Sequence, residues 1–215
     1  MKKKLEYFGI FFVYFILILN AFVMRDSFIA FVSALCGITY TLLAGKGNPL
    51  CYLIGLTGSA FYIYLSFINN LWGNCLLYAL YFVPMQIIGF FKWNKNLKKN
   101  KYEIIKNYLS IKEIIILVFS ALLLSVITIY VLYKFGDSNP IADGLATSFS
   151  ILGMYLTVIR AIEQWFVWAF VNALSLVMWL MVLINGTKVY STVLMWVVYF
   201  ILALYFYKEW KKELA

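Results

Sequence analysis

A run of aromatic and polar residues in the last third of the chain has the spacing of one helical face. Trp165, Trp168, Asn172, Ser175 and Trp179 follow one another at intervals of three or four residues, and such residues share one face of an α-helix. Two indoles one turn apart, with an amide one turn further, can stack a flat aromatic ligand and hydrogen-bond its polar edge. Tryptophan is also the best cation–π partner. The spacing therefore predicts a binding surface for a flat ligand.

The same residues also admit a purely structural interpretation. Trp165 would then belong to the aromatic belt at a membrane interface, and Asn172 and Ser175 would join neighbouring helices by hydrogen bonds. Spacing alone does not separate the two interpretations. Trp168 and Asn172 lie deeper in their apolar segment than a belt explains, which favours the site.

A second polar position lies beside a proline. Pro84 has no N–H to give to residue 80, so it should kink its helix and leave the carbonyl of Leu80 without a partner. Gln86 is an amide in an apolar segment and is costly there without a partner. Kinked helices are where transporters build sites; the alternative is a packing kink with Gln86 bonded to a neighbouring helix. Further candidates, which do not stand out among 17 tyrosines and the other polar residues, are Tyr62, Tyr78, Tyr81 and Thr147.

The elements that position these residues are membrane helices. Of the 215 residues, 65% are hydrophobic and 13% are charged, whereas soluble domains carry about a quarter charged residues. In lipid every backbone polar group must be satisfied within the protein, and the long apolar runs favour helices over the short alternating strands of a barrel. The sequence therefore predicts an all-α integral membrane protein.

Charged residues separate the apolar runs. A spanning helix needs about 20 apolar residues, and Asn69-Asn70 divides the longest run in two. Pro140 should open the sixth helix, because proline at a helix start forfeits no hydrogen bond. The first run could be a cleaved signal peptide, but no small-residue cleavage site follows it, so a retained helix is expected. Eight spans are predicted: 7–24, 27–45, 50–68, 71–91, 114–133, 144–159, 164–187 and 189–207.

The basic residues predict the orientation. With the N-terminus inside and eight spans, 15 of the 18 lysines and arginines face the cytoplasm, as the positive-inside rule requires. The net charge of +9 is thus a topology signal with attraction to anionic membrane lipid. Nucleic-acid binding needs a basic face interleaved with stacking aromatics, so it is excluded, and segment 92–112 is interpreted as a lysine-rich cytoplasmic loop. Both termini are expected in the cytoplasm.

Spans two to four and six to eight each form a group with the same polarity, and each group ends in aromatics followed by basic charge. This favours two parallel three-helix repeats in a 3+1+3 core, as in SWEET-like transporters. The predicted segments are an N-terminal helix at 1–26, a first repeat at 27–93, a basic loop at 94–112, a linking helix at 113–137, and a second repeat with the C-terminus at 138–215.

Several kinds of chemistry are missing. The chain has no histidine, and its three cysteines have neither disulfide nor zinc spacing. Acidic residues are expected only near helix ends and in loops, with Asp143 and Glu163 at helix ends, whereas ion-driven carriers usually place an ionisable group inside the membrane. No catalytic residue, metal ligand or cofactor site is predicted. An uncoupled carrier fits better than an enzyme.

Two stretches resemble the PnuC family of bacterial nicotinamide riboside (vitamin B3) transporters, and the resemblance covers roughly residues 28–210. One departure is Gly58, where the resemblance leads us to expect Asn in many relatives. The residues that carry the resemblance are Arg160, Glu163, Trp165, Trp168, Asn172 and Ser175 in one stretch, and Pro84, Met85, Gln86, Gly89 and Trp93 in the other.

The resemblance implies a transporter of the bacterial inner membrane that works by facilitated diffusion as a homotrimer. It also implies a cytoplasmic riboside kinase that traps the substrate and so supports NAD biosynthesis. Asn172, where a thiamine carrier is expected to have an acidic residue, favours the riboside. Trp165 and Trp168 would hold its cationic ring, and Asn172 and Gln86 would pair with its carboxamide or hydroxyls. Alternatives are another vitamin or nucleoside such as thiamine, or a membrane scaffold without a substrate.

Overall fold

The computed structural model describes residues 2–24, 27–99, 102–137 and 139–214, with side chains from residue 9 onward. Arg25 and Lys101, which are counted in the orientation argument, and Asp26, one of the acidic residues expected in loops, lie outside the described residues. Within these ranges the chain is all-helical, and its only extended pairs are isolated bridges. The predicted fold class is confirmed.

Eight helices follow one another in the described ranges, and the predicted spans match them closely. Those from the second onward are long and apolar enough to cross a membrane, and the first contributes the shorter apolar segment Gly9–Val23. We number them α1 Lys2–Val23, α2 Phe28–Gly45, α3 Cys51–Ile68, α4 Trp72–Lys95, α5 Ile111–Lys134, α6 Pro140–Val158, α7 Gln164–Ile184 and α8 Tyr190–Leu214.

The start of α6 differs from the charge-free window. The helix begins at Pro140, as its proline predicted, four residues before the window 144–159. Asp143 therefore lies in the first turn of the helix and is fully buried. A span defined by the absence of charged residues leaves Asp143 out. The sequence of one span does not show that another helix supplies a hydrogen-bond partner for a charged residue. Asp143 thus lies near a helix end, as expected, and it is buried there by the packing of the helices.

Packing is uneven around the bundle. α2 packs on α3 and α8, α7 packs on α6 and α8, and α1 rests on α2 and α8. α5 packs chiefly on α6 and is the least buried of the spans, with large apolar side chains such as Phe119 and Ile127 exposed. The division into two parallel three-helix repeats stays a prediction.

α4 is irregular where the proline predicted a kink. Residues Tyr78–Phe82 form a π-helical turn directly before Pro84, and the N–H of Val83 bonds to the carbonyl of Tyr78, five residues earlier. π turns arise where the ordinary helical ladder is interrupted, and they are frequent at functional sites. The irregular turn brings Tyr78 and Phe82 to the interior of the bundle.

The lysine-rich loop is fastened to the ends of the helices around it. The N–H of Ile104 bonds to the carbonyl of Gly47 at 3.0 Å, and Asn107 exchanges backbone hydrogen bonds with the turn that leads into α7. Lys106 is buried, pairs with Glu213 of α8 and lies 4.8 Å from the centre of the Trp210 ring. Burial lowers the pKa of Lys106, and the Glu213 carboxylate opposes this shift.

Candidate substrate cavity

A cavity lies between α2, α3, α4, α6, α7 and α8, with about 810 Å³ of space including its open part. Six of the nine predicted binding residues line it, and they come from three helices that are far apart in the chain. These residues are Tyr62, Tyr78, Gln86, Trp165, Trp168 and Asn172.

The other three predicted residues lie outside the lining. Ser175 is buried on α7 beyond the cavity wall. Tyr81 donates to the carbonyl of Ile151 at 3.0 Å and faces a groove between α4, α5 and α6. Thr147 donates to Asp143 Oδ1 at 3.3 Å. The structure does not bring these three side chains to the cavity.

Trp168 is held in place from three sides. Its indole N–H donates to the hydroxyl of Thr157 at 2.9 Å, and its ring meets Phe82 edge to face at 6.0 Å. A Cβ on Gly153 of α6 would lie 3.1 Å from the indole, closer than ordinary van der Waals contact. The absence of a side chain at Gly153 leaves room for the ring.

Trp165 lies nearer the end of the bundle that carries the lysine-rich loop. Phe206 packs against its ring at 5.3 Å with a tilt of 33°, and Trp210 meets it edge to face at 5.4 Å. The indole N–H is buried and has no hydrogen-bond acceptor among the described residues. A buried polar group without a partner is costly, so a ligand acceptor at this position would be favoured.

Gln86 uses one end of its amide and leaves the other unpaired. Its Nε2 donates to the hydroxyl of Ser59 on α3 at 2.9 Å, which fulfils the interhelical bond that the structural interpretation proposed. Its Oε1 is buried without a donor in the described ranges. Because Gln86 lines the cavity, this oxygen is an acceptor that a ligand amide or hydroxyl can satisfy.

Tyr62 links the cavity to the end of the bundle away from the lysine-rich loop. Its hydroxyl accepts from the indole N–H of Trp179 at 2.9 Å and donates to Asn74 Oδ1 at 3.3 Å. Its ring packs on Tyr78 with centroids 4.4 Å apart. Trp179, the last residue of the predicted stripe, thus supports a lining residue and does not line the cavity.

Sequence reasoning missed the wall that α8 provides. Trp196 and Tyr199 line the cavity, and the indole N–H of Trp196 is a second buried donor without an acceptor in the described part of the chain. The two residues are three apart, the same kind of signal as on α7. However, α8 carries aromatic residues on every face, so this pair does not stand out. Tyr40, Ser59 and Thr157 were missed for want of any pattern.

Gly58 has a packing role at the departure from the family pattern. A Cβ at this position would lie 2.9 Å from Cys36 Cβ on α2, so α2 and α3 are in close contact here. At Gly55, one turn earlier, a Cβ would lie 2.7 Å from the ring of Tyr40. The two glycines therefore permit α2 and α3 to pack closely.

The described cavity lining contains no aspartate, glutamate, lysine or arginine. It offers aromatic faces, two unpartnered indole donors and one unpartnered amide acceptor. Aromatic faces attract cations, whereas an anion in a site without a countercharge would remain unpaired at a large cost. The cavity therefore suits a flat polar molecule that is neutral or positively charged.

Comparisons with known proteins agree with this description. Residues 27–212 match the family described as nicotinamide mononucleotide transporter. The nicotinamide riboside transporter PnuC of Neisseria mucosa is 31% identical over 192 residues, which cover 87% of this chain and 73% of that protein. The protein of the same name from Haemophilus influenzae is 29% identical over 191 residues, 87% of this chain and 80% of its own length.

A solved structure supports the same conclusion. The crystal structure of the vitamin B3 transporter PnuC superposes on this chain with a TM-score of 0.84 at 29% identity, and the match covers 95% of this chain and 91% of the other. These relatives and this fold are those of a transporter and not of an enzyme. The chain therefore belongs to the PnuC family of bacterial multi-pass membrane transporters.

Proposed function

We propose that this transporter carries nicotinamide riboside across the membrane by facilitated diffusion. The observation that carries the proposal is the uncharged cavity in which Trp165, Trp168 and Asn172 come together. The riboside has a flat cationic pyridinium ring, a carboxamide and ribose hydroxyls. The indoles would hold the ring by stacking and cation–π attraction, and the carboxamide and hydroxyls would satisfy the free N–H of Trp165 and the free oxygen of Gln86.

The absence of a countercharge supports the riboside over the mononucleotide. The family description names the mononucleotide, while the curated relatives are named for the riboside. The two molecules differ by a phosphate, which protein sites hold with arginine, lysine or a helix N-terminus. No charged residue lines the cavity in the described ranges. A site discriminates against a ligand whose charge it leaves unpaired.

The absence of charged side chains from the described cavity lining also supports uniport of the riboside and its trapping inside the cell. A cavity whose described lining has no acidic or basic side chain offers no charged partner for a coupling ion beside the substrate. Net import then needs a sink, and phosphorylation by a cytoplasmic riboside kinase would provide one, because the product carries the charge that the cavity rejects. Neither a cofactor nor a metal enters this scheme.

Orientation and assembly complete the proposal. The protein would lie in the bacterial inner membrane with both termini in the cytoplasm, which the excess of basic residues on that side supports. It would assemble as a homotrimer, supported by the resemblance to the PnuC family and compatible with the exposed apolar face of α5. Three predicted binding residues would support the helices around the cavity and would not touch the substrate: Ser175, Thr147 and Tyr81.

A ligand panel tests the substrate. Thermal unfolding of the purified protein is measured with riboside, nicotinamide, mononucleotide and thiamine, since a ligand that binds only the folded state raises the midpoint. The riboside should give the largest rise and the mononucleotide none. A larger rise with thiamine would identify another vitamin carrier, and no rise with any compound would favour a scaffold.

Flux measurements test the mechanism. In proteoliposomes, labelled riboside should equilibrate without a proton or sodium gradient, and it should accumulate only when a riboside kinase and ATP are enclosed. Accumulation driven by an ion gradient alone would rule out uniport. Liposomes without protein give the background rate.

A further inference from the structure

We infer that Asp137 and Asp143 hold one proton between them at the end of the bundle opposite the lysine-rich loop. Asp137 lies in the turn before α6, and Asp143 lies in the first turn of that helix. Asp143 is fully buried and Asp137 is 8% exposed. The two carboxyl groups are close enough to interact with each other. The pair lies outside the cavity lining.

Each carboxyl group uses one oxygen and leaves the other unpaired. Asp137 Oδ1 accepts from the N–H of Asn139 at 2.8 Å. Asp143 Oδ1 accepts from Asn74 Nδ2 at 2.7 Å and from Thr147 at 3.3 Å. The Oδ2 atoms of both residues are buried without a hydrogen-bond donor among the described residues. Both unpaired acceptors belong to residues that are more than nine-tenths buried, and one shared hydrogen atom would satisfy both of them.

A single proton satisfies both oxygens. Two ionised carboxylates in contact repel each other, and burial strengthens the repulsion. A proton on either Oδ2 makes that atom a donor to the other and leaves one delocalised negative charge. A carboxyl–carboxylate bond of this kind is charge-assisted and strong.

The surroundings favour a proton over a metal ion. Calcium takes six to eight oxygen ligands and magnesium demands octahedral geometry, and the described residues contain no group of three acidic, histidine or cysteine side chains that could hold a metal. Where the chain is described, neither aspartate pairs with a lysine or arginine. Tyr62 of α3 is a further titratable group close enough to interact with Asp143. α4 contributes Gly73 and Asn74, and α5 packs Ile129 against the same turn of α6.

The helix opposite the pair leaves room for it. A Cβ on Gly73 of α4 would lie 2.6 Å from Asp143 Oδ2, so a side chain there would collide with the carboxyl group. The residue next to this glycine, Asn74, is the donor to Asp143 Oδ1. The contact between α4 and α6 is therefore built around this carboxyl group.

The pair is connected to the substrate cavity through two side chains. Asp143 accepts from Asn74, and Asn74 accepts from the hydroxyl of Tyr62, which lines the cavity. When the proton leaves, repulsion separates the carboxyl groups and strains the bond between Asn74 and Asp143. The proton site is thus linked to the cavity wall through Asn74 and Tyr62, and loss of the proton at higher pH should weaken this link.

The number of protons bound in the folded and unfolded states determines how the carboxyl pair changes stability with pH. The folded pair keeps a proton that two free aspartates have lost at neutral pH. Where the folded state binds more protons than the unfolded state, stability falls as pH rises. The contribution of the pair is therefore present at lower pH and disappears as pH rises through the titration of the pair.

Infrared spectroscopy of the purified protein tests the proton directly. The wild-type protein at neutral pH should show the carbonyl stretch of a protonated, buried carboxyl group, and the band should disappear at alkaline pH. Asp137→Asn and Asp143→Asn should each abolish the band. Glu163→Gln, which removes another carboxyl group with an unpaired buried oxygen, should leave it unchanged. A wild-type spectrum without the band, or a band that only Glu163→Gln removes, would overturn the inference.

Thermal unfolding gives a second readout that needs no substrate. Asp137→Asn can keep the bond from Asn139 and donate its amide to Asp143, so it should fold even if Asp143→Asn does not. Its midpoint should change less with pH than that of the wild type between about pH 6 and 9. An unchanged slope in Asp137→Asn would contradict the shared proton. Because both readouts are independent of riboside, they can fail or succeed separately from the proposed function.

Discussion

Trp168 donates its indole N–H to the hydroxyl of Thr157 across 2.9 Å, and the same hydroxyl donates to the carbonyl of Gly153 at 2.8 Å. A hydroxyl has one proton and two lone pairs, so both bonds coexist. α6 thereby orients an aromatic side chain of α7. The position of the indole, and with it the stacking surface that we propose for the pyridinium ring, depends on a residue eleven positions away in the chain.

Thr157→Val should weaken riboside binding. The valine keeps the shape of threonine but leaves the indole N–H of Trp168 without a partner, at a cost of about 1–3 kcal/mol. We expect part of this cost to appear as lower affinity in calorimetric titration, because the ring is freed to turn. Thr157→Ser keeps the hydroxyl and serves as the control. Equal affinities in both variants would show that this bond does not position the ring.

Gln86→Leu should separate affinity from stability. The leucine removes an oxygen that has no donor among the described residues, which offsets the loss of the bond to Ser59. We expect the free energy of unfolding to change by less than about 1 kcal/mol, while riboside affinity falls by about 1–3 kcal/mol. Denaturation and titration of the same preparation check both values. A retained affinity would remove Gln86 from the site.

Trp165→Phe and Trp196→Phe should each lower affinity and leave the empty protein nearly as stable as before. Their indole N–H groups have no acceptor where the chain is described, so phenylalanine removes a donor that only a ligand would use. Trp93→Phe is the matched control, because Trp93 is buried outside the lining and donates to the carbonyl of Thr157 at 3.0 Å. This control should lose stability and keep its affinity. Unchanged affinity in Trp165→Phe and Trp196→Phe, with lower affinity in Trp93→Phe, would contradict the assignment of the two indoles to the substrate site.

Gly58→Ala should destabilise the protein. The new Cβ would lie 2.9 Å from Cys36 Cβ and 3.5 Å from the backbone nitrogen of Gly37, so α2 must move. Overpacking of this kind costs about 1–3 kcal/mol. Gly9→Ala on α1, where no atom lies within 4 Å of the new Cβ, should be neutral or slightly stabilising, because alanine favours a helix. The midpoints of thermal unfolding of the two variants are compared. Equal midpoints would show that α2 can move to accommodate the new Cβ without loss of stability.

Most of the fold follows from properties that are local in the chain. Each apolar run must satisfy its own backbone in lipid and so becomes a helix, which is why the eight predicted spans agree with the eight described helices. Pro140 marks the start of α6, and Pro84 marks the irregular turn of α4. The stripe on α7 is local in the same way, and its first three members line the cavity.

The composition of the site depends on contacts between helices. Ser175 continues the stripe but lies behind the wall, and Trp196 joins the site from a helix with no distinguishing pattern. Asp143 is buried because Asn74, 69 residues earlier in the chain, donates to it. The periodicity of a helix states which residues share a face, but it does not state what that face meets. The apolar runs specify the helices, while the packing of one helix on another specifies the cavity, its unpaired polar atoms and the carboxyl pair.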